Sequence, residues 1–322
     1  MGDADNFTGI PAADLLMLKN VLSSAEKHNV KVVLTMFSLP GARNRQDNGH
    51  KSDYRLWNEA RYQAQALAFW KQLAEELKDH PAIVAYNPLN EPHPAREYDV
   101  NDESDEGKID AWFTKHQNGL NDLNRFNKLM VDAIRSVDKT TYIILNGWFH
   151  SSIRGLKYIT PVDDDKTLYA FHFYGPWEFS TFRINKGRFS YPDRMPNPEG
   201  GAKATIAWKH DKIASSMGEV LAWSNEFAIP SNRIIAEEFG IDRRVGGAKE
   251  FLSDTVAAIN RHDWHWAFYS FRSSEWGGMD YELGTKKLNN RYWKALEEGA
   301  LHSDSVIRTN NSLWRELQKE FR

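Results

Sequence analysis

The sequence predicts an α/β protein of the (β/α)8-barrel type, in which parallel strands alternate with helices. Six short apolar runs rich in β-branched residues indicate buried strands, and segments with apolar residues at helical spacing lie between them. The runs are apolar along their whole length, which is typical of a parallel sheet covered by helices. No glycine fingerprint of nucleotide-binding folds follows any run, so the doubly wound alternative is less favoured.

Each strand is predicted where an apolar run is followed by a polar or glycine-containing turn. Helices are predicted where apolar residues recur every three or four positions, as in Leu15 to Ala25, Leu67 to Leu77 and Leu123 to Val137. In chain order, the predicted strands are Val30 to Phe37, Ala82 to Leu89, Tyr142 to Leu145, Leu168 to Tyr174, Arg233 to Ala236 and His265 to Phe271.

Three long loops are predicted to follow strands. They are Pro40 to Leu56, Pro94 to Asp110 and Pro176 to Ala204, each rich in Gly, Pro, Asn, Asp or Arg. In a barrel, the loops that follow strands lie on the catalytic face, so these segments are expected to wall a substrate cleft. No linker, internal repeat or low-complexity tract interrupts the pattern, and a single domain covering residues 1–322 is expected.

The composition restricts the partners. With 322 residues, 41% of them hydrophobic, and a formal charge of −3, the chain fits a neutral partner better than nucleic acid or an anionic membrane. The chain has no cysteine, which excludes disulfides and thiolate metal sites. Neither a signal-peptide pattern at Met1 to Asn6 nor a membrane-spanning apolar run is present, so a soluble chain is expected. The 12 tryptophans would suit a site that stacks sugar rings, although most are expected in the core.

Two glutamates are predicted at the carboxyl ends of strands, in Asn90-Glu91-Pro92 and in Glu238-Phe239-Gly240. Paired carboxylates of this kind suggest cleavage of a glycosidic bond, which needs one group to protonate the leaving oxygen and one to attack or to activate water. Glu237 adjoins Glu238, and strand alternation predicts that it points the other way and pairs with a basic group behind the sheet. Structural ion pairs are the alternative for these carboxylates.

A third strand ends in His172-Phe173-Tyr174, where the spacing of two places the imidazole and the phenol on one side. The phenol could donate a hydrogen bond to a nucleophilic carboxylate and keep it ionised, while the imidazole could bond sugar or the acid. A histidine and a tyrosine satisfied within the core are the alternative.

Other chemistries find little support in the sequence. There is no H-E-x-x-H motif, no G-x-S-x-G elbow and no histidine cluster at ligand spacing. The acidic segment Asp99 to Asp110 loosely matches a calcium loop, but Ser104 stands where the tight turn requires glycine. A solvated acidic loop is therefore predicted, and neither a metal nor a cofactor is expected.

Several segments together resemble glycoside hydrolase family five, the cellulase-like group of retaining (β/α)8 hydrolases. The resemblance implies that Glu91 is the acid/base, that Glu238 is the nucleophile and that Asn90 bonds the 2-hydroxyl of the sugar. It implies that His172 and Tyr174 support the reactive pair. Trp148 and Trp276 are further predicted to contact substrate. The matching segments are Leu39-Pro40-Gly41, His80-Pro81-Ala82-Ile83-Val84, Asn90-Glu91-Pro92, His172-Phe173-Tyr174, Glu238-Phe239-Gly240 and Trp276-Gly277-Gly278-Met279-Asp280-Tyr281-Glu282.

The sequence departs from the family pattern at three places. The first predicted helix, near Asp14 to His28, resembles the second helix of the family, so the first two strands and the arginine of strand two lack counterparts. Phe37 stands where the family usually has a histidine. Tyr269 and Phe271 stand where tryptophan is common, with Trp266 or Trp276 as candidate replacements.

The function expected from this resemblance is a retaining β-glycosidase, endoglucanase-like or mannanase-like, that acts on an oligo- or polysaccharide by double displacement. A non-catalytic or impaired carbohydrate-binding barrel is the main alternative, and a metal-dependent hydrolase is a third. The resemblance implies work outside the cytoplasm, in an extracellular or periplasmic setting, although the sequence shows no leader. The sequence carries no signal for oligomeric state.

Overall fold

The computed structural model describes residues 6–45, 48–197, 204–272, 277–284, 288–302 and 308–321. The chain divides into two compact units, Met1–Phe171 and His172–Arg322. Parallel strands alternate with helices in both units, as the sequence predicts. Among the described residues, no helix is both long and apolar enough to cross a bilayer.

The first unit contains four parallel strands in the order β1-β2-β3-β4. Residues 6–11, which precede the first helix, contain no strand. A 3₁₀ turn at Pro94–Tyr98 follows β2. The elements are α1 (Ala12–Lys27), β1 (Val32–Thr35), α2 (Arg55–Asn58), α3 (Ala60–Leu77), β2 (Ile83–Asn87), α4 (Glu106–His116), α5 (Leu123–Arg135), β3 (Tyr142–Asn146), α6 (Trp148–Ser151), α7 (Ile153–Leu156) and β4 (Thr167–Phe173), whose last two residues belong to the second unit.

The core of the first unit lies where α3 and α5 pack on the sheet. The buried face of α3 carries Tyr62, Ala66, Trp70, Leu73 and Leu77, which recur at the helical period. Burial of large apolar side chains of this kind contributes about 1.5–3 kcal/mol each to folding. The indole of Trp70 donates to the carbonyl of Pro88 at 2.9 Å, which attaches the helix to the turn after β2.

The second unit contains the parallel pair β7-β8 and a separate antiparallel hairpin, β5-β6. Three 3₁₀ turns, at Ser231–Arg233, Gly277–Met279 and Tyr281–Leu283, connect its elements. The elements are α8 (Trp177–Ser180), α9 (Phe182–Asn185), β5 (Asp193–Pro196), β6 (Thr205–Trp208), α10 (His210–Glu226), β7 (Ile234–Phe239), α11 (Ala248–Asn260), β8 (His265–Phe268), α12 (Asn290–Glu297) and α13 (Ser312–Gln318).

Three details differ from the sequence-based expectations. The predicted loop from Pro94 to Asp110 contains a 3₁₀ turn at Pro94–Tyr98 and the first residues of α4, which begins at Glu106. The segment predicted as a loop from Pro176 to Ala204 contains two short helices and β5, because short strands that carry charge and proline give no apolar run. All seven residues of β4 are buried, as expected for a covered parallel sheet. By contrast, β1 and β8 are half-exposed. Each of these two strands pairs on one side only among the described strands.

The ion pair between Arg135 and Asp164 fixes the end of α5 near the starts of β3 and β4. Nε and Nη2 of Arg135 donate to the carboxylate at 2.8 and 3.0 Å, and Nη1 donates to the carbonyl of Thr141 at 2.8 Å. The two side chains are only 13% and 15% exposed. We therefore predict that Arg135→Met lowers the free energy of unfolding by roughly 3–5 kcal/mol, because it leaves a mostly buried carboxylate without its cation.

Urea denaturation of the purified variant measures this change, with Lys128→Met as the matched control on the same helix. Lys128 pairs with Asp132 at 2.7 Å, but the two side chains are 69% and 59% exposed. The control should shift the free energy of unfolding by less than about 1 kcal/mol, since exposed ion pairs contribute little. Equal effects of the two substitutions would contradict the prediction.

Candidate active site

In the first unit, the turn after β2 presents Asn90 and Glu91. The amide of Asn90 donates to the carbonyl of Met36 at 2.8 Å, which connects this turn to the residue after β1. Glu91 has a φ of 50°, a left-handed conformation that costs a residue with a side chain roughly 1–2 kcal/mol. Its amide donates to Oδ1 of Asn146 at 3.0 Å, and Asn146, the last residue of β3, is only 2% exposed. The strained turn is thus held by a buried amide on the neighbouring strand.

The carboxylate of Glu91 is partly exposed and faces a histidine that the sequence analysis did not single out. Oε2 of Glu91 lies 3.7 Å from Nδ1 of His150, with 34% of the glutamate side chain exposed. Nη1 of Arg96 lies 3.0 Å from Nε2 of the same imidazole. His150 lies shortly after the end of β3. Polar residues that follow barrel strands often form sites, and this rule would have marked His150 as a candidate.

His93 packs against His150 and is itself buried. The two ring centroids are 4.5 Å apart at an interplanar angle of 87°, and Nε2 of His93 bonds the carbonyl of Val100 at 3.0 Å. Burial lowers the pKa of His93 to about 3, and the charge of Arg96 acts in the same direction. His93 is therefore neutral at ordinary pH.

In the second unit, His172 and Tyr174 lie at the end of β4 and contact the carboxylates of β7. The hydroxyl of Tyr174 donates to Oε2 of Glu238 at 2.7 Å. Nδ1 of His172 lies 3.7 Å from the same oxygen, and the imidazole is buried, with 2% of its side chain exposed. The structure thus brings together the three residues that the sequence associates on this side.

Glu237 does not turn away from this group as strand alternation predicts. Its Oε2 lies 4.0 Å from Nε2 of His172, so both adjacent carboxylates approach one imidazole. The reason is an irregularity in β7: Ala236 pairs with Trp266 and Phe239 pairs with Phe268, so two residues face one on the partner strand. A bulge of this kind interrupts alternation and re-aims side chains.

The two predicted tryptophans have different outcomes. Trp148 is fully buried at 0% exposure and packs edge-on against Phe113 with ring centroids 4.6 Å apart. This packing does not support a stacking role for Trp148, which stays a prediction. Trp276 lies outside the described residues. At the positions that depart from the family pattern, Phe37 and Phe271 are 46% and 59% exposed.

Comparisons with known proteins show what this chain is similar to. The sequence profile of Cellulase (glycosyl hydrolase family 5) matches residues 3–292. Endoglucanase C of Acetivibrio thermocellus is 26% identical over 182 residues, which are 55% of this chain and 43% of the relative. The chain therefore spans less than half the length of this relative.

Solved structures show the fold. Endoglucanase Cel5A of Thermotoga maritima matches with a TM-score of 0.60 at 20% identity, covering 91% of this chain and 82% of that one. The same enzyme in complex with mannotriose matches with a TM-score of 0.60 at 18% identity and the same coverage. A cellulose synthase subunit Z from Clostridioides difficile matches with a TM-score of 0.59 at 16% identity, covering 87% and 81%. The predicted barrel-type α/β fold is confirmed by these likenesses.

The buried His93 predicts a pH dependence of stability. The pKa of His93 is lower in the folded chain than in the unfolded chain. Between the two pKa values, the unfolded chain is protonated at this histidine and the folded chain is not. The contribution of His93 to the free energy of unfolding is therefore fully present above a pH of about 6.5. It falls as the pH drops toward 3, by at most about 1.4 kcal/mol per pH unit.

Urea denaturation at about pH 7 and about pH 4.5 tests this contribution. The variant His93→Gln, which keeps an amide donor for Val100, should lose less stability than the wild type over this interval. The prediction is wrong if the two proteins lose the same amount.

Proposed function

The chain belongs to glycosyl hydrolase family 5, the cellulase family, and on this premise we propose that it hydrolyses β-linked oligo- or polysaccharides with retention of anomeric configuration. The curated relatives include endoglucanases, and the solved neighbours include an endoglucanase with cellobiose and with mannotriose. We therefore propose an activity like that of an endoglucanase or a mannanase.

The hydrogen bond from Tyr174 to Glu238 carries the proposal. A phenol hydroxyl that donates to a carboxylate at 2.7 Å favours the ionised form, which is the form that a nucleophile requires. The buried imidazole of His172 packs against the same oxygen at 3.7 Å and limits its movement. We assign Glu238 as the nucleophile, with His172 and Tyr174 as the residues that orient it.

Glu91 is proposed as the acid/base, and Asn90 as the residue that bonds the 2-hydroxyl of the sugar. In the first step, an oxygen of Glu238 attacks the anomeric carbon while the bond to the leaving oxygen breaks and Glu91 transfers its proton to that oxygen. In the second step, ionised Glu91 takes a proton from water, whose oxygen displaces Glu238. A retaining pair of this kind works with its carboxyl groups about 5–5.5 Å apart, which an inhibitor complex would measure directly.

Three further expectations belong to the same proposal. We propose that residues 1–322 form one catalytic domain and that no metal takes part, so chelators should leave turnover unchanged. We also propose action outside the cytoplasm, because a polymeric glycan is too large to cross a cell membrane. Nucleic acid is not proposed as a partner, since the formal charge is −3.

The nucleophile assignment predicts a covalent label. An activated 2-fluoro β-glycoside, whose fluorine slows both steps, should inactivate the enzyme with time and modify Glu238, as read by peptide mass spectrometry. Glu237→Gln is the matched control, because it alters the adjacent carboxylate and should leave the label on Glu238. A label on another residue would overturn the assignment, and glycan binding without turnover or labelling would favour the non-catalytic alternative.

The acid/base assignment predicts chemical rescue. Glu91→Ala should lower turnover of aryl β-cellobiosides by roughly 10²–10⁴-fold, with the larger loss for poor leaving groups, because the leaving oxygen no longer receives a proton. Azide should restore turnover and yield the β-glycosyl azide, since the small anion replaces water without a general base. Glu97→Ala is the control: Glu97 accepts a hydrogen bond from Asn58 at 2.8 Å in the same loop. Rescue of the control, or no rescue of Glu91→Ala, would contradict the role.

A further inference from the structure

His150 is contacted at both ring nitrogens, and the two contacts together fix its protonation. Nε2 lies 3.0 Å from Nη1 of Arg96, and Nδ1 lies 3.7 Å from Oε2 of Glu91. A guanidinium has donors only, so Nε2 of His150 must offer its lone pair to Arg96. A neutral imidazole carries its proton on the other nitrogen, and the N–H group of His150 therefore faces the carboxyl group of Glu91.

We propose that Arg96 and His150 are positioning residues for Glu91: Arg96 holds the imidazole neutral with its proton on Nδ1, and this nitrogen lies 3.7 Å from Oε2 of Glu91. The proposal rests on the proposed function, in which Glu91 alternates between acid and carboxylate. Protonation of Nε2 would place two donors against each other, so the contact with Arg96 opposes formation of the imidazolium.

A neutral N–H group suits the reaction better than a cation at this place. When Glu91 gives up its proton, negative charge develops on its oxygens, and a fixed N–H dipole stabilises that charge without reorganisation. A full positive charge on His150 would favour the carboxylate in the resting enzyme as well, and the acid would then be missing in the first step. No proton passes through His150, which keeps the same tautomer in both steps.

The backbone around His150 is built to hold the ring in place. Phe149, His150 and Ser151 have φ values of 54°, 57° and 58°, three consecutive residues in the left-handed region. Such a run costs roughly 1–2 kcal/mol per residue and persists where neighbouring contacts over-determine it. Ser151 is fully buried, and its hydroxyl accepts from the amide of Gly147 at 3.2 Å and donates to the carbonyl of Ala170 at 3.1 Å.

The packing of His150 against its neighbours supports the same orientation. The ring packs against His93 in an edge arrangement with centroids 4.5 Å apart. Burial lowers the pKa of His93 to about 3, so this second imidazole brings no positive charge to the cluster. The guanidinium of Arg96 therefore contacts His150 at Nε2 while the neighbouring imidazole of His93 stays neutral.

The first experiment reads the tautomer without reference to activity. Long-range ¹H–¹⁵N spectra of the histidine rings near neutral pH distinguish a proton on Nδ1 from one on Nε2, and His150→Gln assigns the signals. We expect the Nδ1–H form in the wild type and a shift toward Nε2–H in Arg96→Ala. An Nε2–H form or an imidazolium in the wild type overturns the inference.

Arg154→Ala is the matched control for the spectra. Arg154 donates through Nη1 to the carbonyl of Ser104 at 3.1 Å and to that of Asp102, so it attaches the same loop without contacting His150. Its removal should leave the His150 tautomer unchanged. A tautomer shift in this control as large as that in Arg96→Ala would overturn the inference, because general loosening of the loop would then explain both.

The second experiment separates positioning from structural damage. For Arg96→Ala and His150→Gln we expect kcat/KM with phenyl β-cellobioside to fall about tenfold, a part of the roughly 10²–10⁴-fold that general acid catalysis contributes. With the dinitrophenyl glycoside, whose leaving group needs no proton, the change should stay within about twofold. Equal losses with both substrates would mean structural damage and would overturn the positioning role.

The two experiments also separate this inference from the proposed function. A wild type with the Nδ1–H tautomer but no turnover of either glycoside would support the arrangement of Arg96 and His150 and overturn the proposed function. An active wild type with an Nε2–H tautomer would support the proposed function and overturn the arrangement of Arg96 and His150.

Discussion

The hydrogen bond from the Glu91 amide to the Asn146 side chain joins the ends of two neighbouring parallel strands. Parallel strands end at one edge of a sheet, and the residues that follow β2 and β3 therefore meet there. This bond holds Glu91 in a conformation that few residues with side chains adopt. This turn sets the direction of the Glu91 carboxyl group and its distance to His150, which in turn contacts Arg96.

The sequence predicts the parts of the structure that depend on local pattern. The strand that ends before Asn90 and Glu91 is visible as an apolar run, and so is the strand that carries His172 to Tyr174. The bulge at Glu237 is not visible, because consecutive residues of β7 are buried and the strand has no apolar alternation that an extra residue would interrupt. The position of His150 after β3 is visible in the sequence, but the direction of its ring is not, because that direction results from three left-handed residues with no glycine among them.

Charge is concentrated where the second unit has little exposure to water. The side chains of Glu237 and Glu238 are 10% and 17% exposed, and the imidazole between them is 2% exposed. Two carboxylates that share one imidazole repel each other, and removal from water raises the cost of each negative charge. The Tyr174 hydroxyl offsets part of this cost at Glu238.

The half-exposed strands have a consequence for behaviour at high concentration. β8 pairs with β7 alone among the described strands, and Phe271, just beyond it, is 59% exposed. An open strand edge with aromatic neighbours offers backbone donors and acceptors to another chain, and proteins without a charged or covered edge tend to associate through it. Strand addition would cover the edge of β8 and leave the hydrogen bonds within each chain intact. The extent of such self-association would rise with protein concentration.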